Sequence, residues 1–262
     1  MYGVVEEVVR LTPSMVRVVL GGEGLDEFEP APFTDQYVNA LFVPEGAPYP
    51  VPFDVEAARS SGHRPVGRRY TIRRWDPATR QVTIDFVVHG DIGFAGRWAN
   101  HAAVGDRLQM VGPTGGYSPS TTADWHLMVG DESALPAICA SLEQVRPGIP
   151  TLVVVVVDGP DHELELDCPG DLKLQWIHRR SDPGNHGLLL AAVEATDLPA
   201  GTVDVFVHGE AGEVRAVRRH LLADRGIPKE GASISPYWRR DFTDEAWREV
   251  KAAFVAEMRD DA

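Results

Sequence analysis

An almost continuous run of β-branched side chains occupies the stretch Thr151-Leu152-Val153-Val154-Val155-Val156-Val157. A strand whose two faces are both buried carries such a run, and this is the usual state of a strand in a parallel sheet. The run is too short to span a bilayer, which requires roughly 20 apolar residues. It therefore predicts a central strand of an α/β domain.

Strand and helix patterns alternate on both sides of this run. They occupy residues 125–129, 134–144, 172–177, 188–194, 203–207 and 213–223. This alternation predicts a parallel sheet covered by helices, the nucleotide-binding type of α/β domain. A last helix is predicted over residues 243–259, with Thr243 as its cap and one apolar stripe that packs on the body of the protein. A partner-binding helix is the alternative.

The first 113 residues have a different rhythm, in which short β-rich segments are separated by turn residues. These segments lie at residues 15–20, 37–43, 70–75, 81–88 and 107–111, and one short helix is predicted over residues 94–100. Strands at this spacing predict an antiparallel barrel or sandwich. Residues 114–123 are rich in Gly, Ser, Thr and Pro, so we predict two domains, residues 1–117 and 124–262.

The composition indicates a globular protein, with 44% hydrophobic and 24% charged residues. A net charge of −14 argues against a nucleic-acid ligand, whose affinity comes mainly from neutralised phosphates. The first seven residues do not resemble a signal peptide, and Cys139 and Cys168 form no C-x-x-C pair. We therefore predict a soluble cytoplasmic protein with no stable membrane association and no metal site of its own.

Seven arginines lie within 22 consecutive residues of this acidic chain, residues 59–80. Two interpretations fit the cluster: a solvated basic face of a strand, or a cradle for an anion, since arginine forks match phosphate and carboxylate oxygens. The arginines within these 22 residues are Arg59, Arg64, Arg68, Arg69, Arg73, Arg74 and Arg80.

The segment Arg68-Arg69-Tyr70-Thr71 resembles the R-x-Y-[TS] flavin motif of the ferredoxin–NADP reductase superfamily. Side chains alternate faces along a strand, so Arg68 and Tyr70 are expected on the same side. The resemblance implies that Arg68 neutralises a pyrophosphate and that Tyr70 packs against the flavin and its ribityl chain. It also implies that Thr71 hydrogen-bonds the edge of the isoalloxazine ring.

A second motif follows, in which residues 85–90 lead to Gly93-Phe94-Ala95-Gly96-Arg97-Trp98-Ala99. A glycine-bearing loop enters a short helix here, and free N–H groups at a helix start bind phosphate. The segment resembles the flavin loop of siderophore-interacting proteins, the FAD-dependent ferric-siderophore reductases of the same superfamily, although Phe94 replaces their usual proline. The resemblance implies cofactor contacts at Val87, His89, Ala95, Gly96, Arg97 and Trp98.

Four further segments match this family in its order along the chain. They are residues 112–116, 130–137, 208–210 and 235–240. The third is followed by a basic helix with Arg215, Arg218 and Arg219, as in the family's nicotinamide region. The resemblance implies cofactor contacts at Thr114, Gly115, Asp131, Ser133, Ala134, Glu210, Tyr237 and Trp238.

The family resemblance implies an NAD(P)H:ferric-siderophore oxidoreductase. FAD takes a hydride from NADH or NADPH and passes electrons to a ferric siderophore, which releases iron as Fe(II), so no protein nucleophile or metal ligand is needed. A basic pocket is expected for an anionic siderophore. The chain has only three lysines, so arginines must supply it: Arg239 and Arg240 first, Arg73 or Arg74 second.

Two alternatives remain open from the sequence. One is a reductase of the same fold with another acceptor, namely a free flavin, a quinone or a redox protein, and a ferredoxin-like donor is a further candidate partner. The other is a non-enzymatic protein that holds flavin and siderophore. Bleaching of the flavin on anaerobic addition of NADH or NADPH separates an enzyme from such a binding protein.

Overall fold

The computed structural model describes residues 1–90, 93–182 and 184–261. The chain divides into two compact units, Met1–Ser118 and Pro119–Ala262. The first contains a closed barrel and the second a five-stranded sheet. The predicted fold class, an antiparallel barrel followed by a parallel-sheet α/β domain, is confirmed.

Six antiparallel strands close the barrel in the order β1-β2-β5-β4-β3-β6. Two short helices interrupt them, and the second enters from the glycine loop described above. The elements are β1 Tyr2–Thr12, β2 Met15–Gly21, β3 Tyr37–Phe42, α1 Val55–Ser60, β4 Val66–Asp76, β5 Gln81–Val87, α2 Ala95–His101 and β6 Arg107–Thr114.

Alternation along the strands builds the barrel core. Val16, Val18 and Leu20 of β2 point inward and are fully buried, whereas Arg17 points outward and pairs with Asp85 at 2.7 Å. Two elements, β1 and α1, have no counterpart among the segments predicted from the pattern. In β1 the register shifts between residues 5 and 7, which breaks the period-2 signal.

The C-terminal unit is a parallel sheet in the order β11-β10-β7-β8-β9, with every neighbouring pair parallel. Its three interior strands, β10, β7 and β8, are buried along almost their whole length. The elements are β7 Trp125–Asp131, α3 Leu135–Leu142, β8 Pro150–Val157, β9 Asp171–His178, α4 Leu188–Glu194, β10 Val203–Glu210, α5 Ala211–Arg219, β11 Ala232–Trp238 and α6 Asp244–Asp260.

The strand order creates a topological switch point. The chain leaves β7 for β8 and β9 on one side, then returns to β10 and β11 on the other side of β7. In open parallel sheets, ligands bind in the crevice at the carboxyl ends of the two strands that flank such a reversal. Those ends are Asp131 of β7 and Glu210 of β10.

The last helix, α6, packs on the C-terminal unit as the sequence predicts. Its Trp247, Phe254 and Met258 are buried in the core of that unit, and Thr243 caps it by accepting a hydrogen bond from the Ala246 N–H at 3.2 Å. Arginines of α5 face this helix. Arg215 binds Asp261 at 2.9 Å and Arg218 donates to the Met258 carbonyl.

Arg215 and Arg218 thus connect α5 to the C-terminal helix. The role of the basic side of α5 in the nicotinamide region, which the family layout implies, stays a prediction. Separately, within the three described ranges, no helix has the length and apolar character that crossing a bilayer requires.

Candidate functional site

Strand β4 carries the first part of the candidate flavin site. Its alternation puts Arg68 and Tyr70 on one face. The Tyr70 ring lies 4.4 Å from the ring of Phe86, while the Arg68 guanidinium lies 5.9 Å from the ring of Phe94. The residue that replaces the family's proline, Phe94, therefore contacts the motif arginine.

Thr71 lies on the other face of β4. The neighbouring strand places Tyr37 opposite both Thr71 and Thr114, so the three side chains form one row across β4, β3 and β6. Thr71 is buried and Thr114 is exposed. The predicted flavin residues of this strand are thus divided between two faces of the sheet.

The loop and helix after β5 carry the second part. Val87 ends β5, His89 and Arg97 are exposed, and Ala95 is buried at the start of α2. Trp98 anchors the helix on the barrel core, with its ring 5.5 Å from that of Phe86.

Gly115 permits a close approach that a side chain would block, because Asp35 Oδ1 lies 2.9 Å and the Gln36 backbone 3.0 Å from where a Cβ would stand. At Gly96 the nearest atom lies 3.7 Å from that position, an ordinary contact distance. Asp35 fixes the turn at the end of β6 by accepting the N–H groups of Gly116 and Tyr117 at 2.8 and 2.9 Å.

Asp131 is the centre of the candidate nicotinamide site in the C-terminal unit. Its Oδ1 accepts the N–H of Ser133 at 2.8 Å and the hydroxyl of Ser133 at 2.5 Å. Its Oδ2 accepts the Glu210 N–H and the Trp238 Nε1–H, both at 2.8 Å. Burial raises the pKa of Asp131, the nearby charge of Glu132 raises it further, and the hydrogen bonds from Ser133 and Trp238 oppose that rise.

This carboxylate connects the ends of three strands. Asp131 itself ends β7, and its partners Glu210 and Trp238 end β10 and β11. The Asp131 carboxylate can lie this close to the backbone of β10 only because residue 209 is glycine. A Cβ on Gly209 would stand 2.7 Å from Asp131 Oδ2, and its φ of 144° is unfavourable for other residues. Ala134 is buried in the turn between β7 and α3.

Glu210 orders the turn on the other side of the switch point. Its Oε2 accepts the N–H groups of Gly212 and Glu213 at 2.7 and 3.0 Å, which caps α5. Its Oε1 accepts the Arg240 N–H at 3.1 Å. Tyr237 lies beside His208, with ring centroids 4.8 Å apart. The structure therefore brings the predicted residues Asp131, Ser133, Glu210 and Trp238 together, with Ala134 in the turn after β7 and Tyr237 beside His208.

An ion-pair network at the same edge has no counterpart in the sequence motifs. Arg179 donates to both oxygens of Glu132 at 2.6 Å and to Asp158 at 2.9 Å. These residues follow the ends of β9, β7 and β8. The one sequence signal for this network is that each of the three residues closely follows a predicted strand. The hydrogen bonds and charge of Glu132 raise the pKa of Arg179 although burial opposes the rise, so the guanidinium stays charged.

The predicted substrate arginines fall in different places. Arg239 stacks on two rings of the C-terminal unit, with its guanidinium carbon 4.5 Å from Phe242 and 5.3 Å from Phe254. Arg240 lies at the turn held by Glu210. Arg73 and Arg74 belong to β4 of the barrel, where Arg74 is exposed.

A cluster suited to a metal ion, with three or more His, Cys, Asp or Glu, is not found among residues 1–90, 93–182 and 184–261.

Two family models match the chain. The siderophore-interacting FAD-binding domain matches residues 4–117 and the siderophore-interacting protein model matches residues 123–241. The chain belongs to the siderophore-interacting protein family. The resemblance predicted from the motifs is thereby confirmed, and so is the prediction of FAD as cofactor.

Individual relatives cover most of this family member. An uncharacterised protein of Mycobacterium tuberculosis is 41% identical over 92% of this chain and 90% of its own length. The ferric vibriobactin reductase of Vibrio cholerae is 35% identical over 74% and 72%, and the NADPH-dependent ferric-chelate reductase of Escherichia coli is 30% identical over 88% and 89%. A solved siderophore utilization protein from T. fusca has a TM-score of 0.80, 36% identity and coverage of 93% and 94%.

Two glycines of this siderophore-interacting protein lie between β5 and α2 of its FAD-binding domain. Gly90 and Gly93 have φ values of 61° and 75°, which other residues rarely adopt, and nothing lies within 4 Å of the position where a Cβ would stand at either residue. The backbone at both glycines is exposed, so a phosphate group of the cofactor can approach it.

Glu213, in the first turn of α5, titrates near neutral pH. Burial raises the pKa of Glu213 to about 7, and the charge of Asp131 adds to this effect while Arg179 opposes it. Because the folded-state pKa lies above the unfolded value, the folded protein binds more protons than the unfolded chain between about pH 4.5 and 7. The contribution of Glu213 to stability is therefore lost as the pH rises through that window.

Glu213→Gln is expected to gain stability relative to the wild type as the pH rises from 5 to 8. The gain should reach up to about 3 kcal/mol and then stay constant. Urea unfolding at a series of pH values measures it. Glu249→Gln, which makes the same change at an exposed position of α6, should show no such trend. A parallel pH dependence for Glu213→Gln and wild type would contradict the prediction.

Proposed function

We propose that this protein is an NAD(P)H-dependent ferric-siderophore reductase of the cytoplasm. The observation that carries the proposal is the combination, in one chain, of an FAD-binding barrel with a parallel sheet whose switch point is ordered by Asp131 and Glu210. The ferric reductases of V. cholerae and E. coli support the same acceptor class. A ferredoxin-like donor is not part of the proposal.

In the barrel, the chain's role is to bind and orient FAD. Arg68 is assigned to the pyrophosphate, because a guanidinium fork matches phosphate oxygens. Tyr70, on the same face, is assigned to the flavin, and Thr71 is assigned to its polar edge. Bound FAD supplies a two-electron acceptor for hydride that can also give up single electrons.

In the C-terminal unit, the chain orients the nicotinamide dinucleotide. The crevice at the ends of β7 and β10 is the expected site. Asp131 fixes the turns after both strands, with donors on each oxygen. One hydride delivers two electrons, so one NADH or NADPH reduces two ferric siderophores to the Fe(II) state, and hard oxygen ligands hold Fe(II) less tightly.

The acceptor is captured by fixed positive charge. Ferric catecholate siderophores are anionic, and a guanidinium remains charged at any physiological pH. Arg239 and Arg240 are assigned to this role first. Arg73 and Arg74 are second candidates.

The double variant Arg239→Ala with Arg240→Ala is expected to raise the KM for an anionic ferric siderophore at least about tenfold, because two charge-assisted contacts are lost. Reduction of a neutral acceptor should change much less. Arg259→Ala, at an exposed position of α6, is the matched control. Arg240→Ala alone keeps the stacking of Arg239 on its two rings, so it separates substrate binding from stability. An unchanged KM in the double variant would exclude these two residues.

An anaerobic assay with a panel of acceptors tests the function itself. The purified holoprotein is mixed with NADH or NADPH, and flavin bleaching is followed by addition of a ferric siderophore and a ferrous trap. We expect bleaching, then recovery of the oxidised flavin spectrum with trapped Fe(II). Faster recovery with free flavin, quinone or a redox protein would assign another acceptor, and absence of bleaching would indicate a binding protein.

A further inference from the structure

Four buried acidic side chains lie at the carboxyl edge of the C-terminal sheet, and three of them accept hydrogen bonds on both oxygens. Each oxygen of Asp131 accepts two donors. Each oxygen of Glu132 accepts from Arg179. The two oxygens of Glu210 accept three backbone N–H groups. Adding a proton to any of these three carboxylates would weaken the hydrogen bonds that its charge strengthens.

The fourth, Glu213, is different. Only 4% of the residue is exposed, and its Oε2 has no hydrogen-bond partner within residues 1–90, 93–182 and 184–261. A buried acceptor without a donor carries a desolvation cost. A proton can be added to this oxygen without the loss of any bond, and a protonated carboxyl costs less to bury than a carboxylate.

Charged groups from four other chain segments face Glu213. Asp131 at the end of β7 and Glu210 at the end of β10 favour its protonated form, whereas Arg179 after β9 and Arg240 after β11 favour its ionised form. Burial is the largest influence, and together with these charges it raises the pKa of Glu213 to about 7. One further negative charge nearby is therefore enough to shift the balance towards protonation.

We infer that Glu213 couples the binding of the nicotinamide dinucleotide to the uptake of one proton. The inference rests on the proposed function, which places the dinucleotide at this edge of the sheet. The pyrophosphate brings two negative charges to an edge that is already rich in carboxylates. Like charges favour the protonated form of a carboxyl group. Of the four buried carboxyl groups at this edge, Glu213 is the one with a buried oxygen that accepts no hydrogen bond from the described residues.

This coupling makes the affinity for the dinucleotide depend on pH. The complex binds more protons than the free protein, so Kd rises with pH between the titration points of Glu213 in the two states. A single proton limits that rise to about tenfold per pH unit. Below and above this range Kd stays constant.

Calorimetry of dinucleotide binding tests the inference without turnover. The FAD-loaded protein is titrated with NAD⁺ and with NADP⁺, which do not reduce the flavin, in buffers of different ionisation enthalpy at pH 7.5. The dependence of the heat on the buffer gives the number of protons taken up. We expect up to about one proton per dinucleotide for wild type and for the exposed-site control Glu249→Gln, and close to none for Glu213→Gln.

The outcomes separate the two proposals. Binding without proton uptake in wild type, or equal uptake in Glu213→Gln, would overturn the inference and leave the proposed function standing. A wild type that binds neither dinucleotide would overturn the proposed function and the inference with it. If Glu213→Gln does not fold, wild type alone decides, because its uptake must be large near pH 7.5 and nearly absent at pH 5.5, where Glu213 is already protonated.

Discussion

Asp131→Ala is expected to destabilise the C-terminal unit by at least about 3 kcal/mol, since it leaves buried donors without an acceptor. The donors are the Ser133 N–H and hydroxyl, the Glu210 N–H and the Trp238 indole N–H. The rate at which NADH or NADPH bleaches the flavin should fall at least about a hundredfold, because the turns that flank the switch point lose their common anchor. Urea unfolding and stopped-flow absorbance measure the two effects, and the FAD content should remain that of wild type.

Two milder variants show whether the carboxylate itself is responsible. Ser133→Ala removes one donor and keeps the acceptor, so it should cost only about 1 kcal/mol. Asp131→Asn keeps one oxygen but turns an amide NH₂ towards other donors, so it should fall between Ser133→Ala and Asp131→Ala. If Asp131→Ala has the same stability in urea and the same rate of flavin bleaching as the wild type, the central role of this carboxylate is wrong.

Arg68→Ala is expected to weaken FAD binding at least about tenfold, because a charge-assisted hydrogen bond to phosphate contributes roughly 1.5–3 kcal/mol. Fluorescence titration of the flavin-free protein with FAD measures the dissociation constant. The folded barrel should survive the change, because Arg68 is only partly buried and lies outside the hydrophobic core.

The adjacent residue provides the control for Arg68. Arg69 carries the same charge on the same strand, but it occupies the variable position of the motif, and its guanidinium lies 5.8 Å from the ring of Tyr37. Arg69→Ala should leave the dissociation constant of FAD within about threefold of wild type. Equal losses in the two variants would indicate a general effect of positive charge, and no loss in Arg68→Ala would contradict the flavin assignment.

Local sequence patterns predicted most of the fold. The run at residues 151–157 is the buried strand β8, and Thr243 caps the last helix as expected. Strand β1 lacks a period-2 signal because its register shifts between Val5 and Glu7 and again between Arg10 and Thr12. Helix α1 is only six residues long, too short for a helical period to stand out.

The candidate site was predictable only where it is carried by short motifs. Asp131 and Glu210 lie in such motifs, and the structure brings them together across 79 positions of the chain. Arg179 lies in no motif, and its partner Glu132 is 47 positions away. Glu213 looks like an ordinary first-turn acid of a helix until the fold buries it. Contacts of this kind depend on strand order, which periodicity does not determine.

The strand order also bears on self-association. A closed barrel offers no free strand edge, but an open sheet has two, at β9 and β11, where another copy could add a strand. Along β9 the exposed positions are Asp171, Lys173 and Gln175, and charged side chains oppose such addition. At β11 the Trp247 indole N–H donates a hydrogen bond to the Tyr237 carbonyl at 3.1 Å, so this carbonyl already has a partner. In the described part of the chain, charged side chains along β9 and a hydrogen bond from the last helix at β11 therefore both oppose the addition of a further strand.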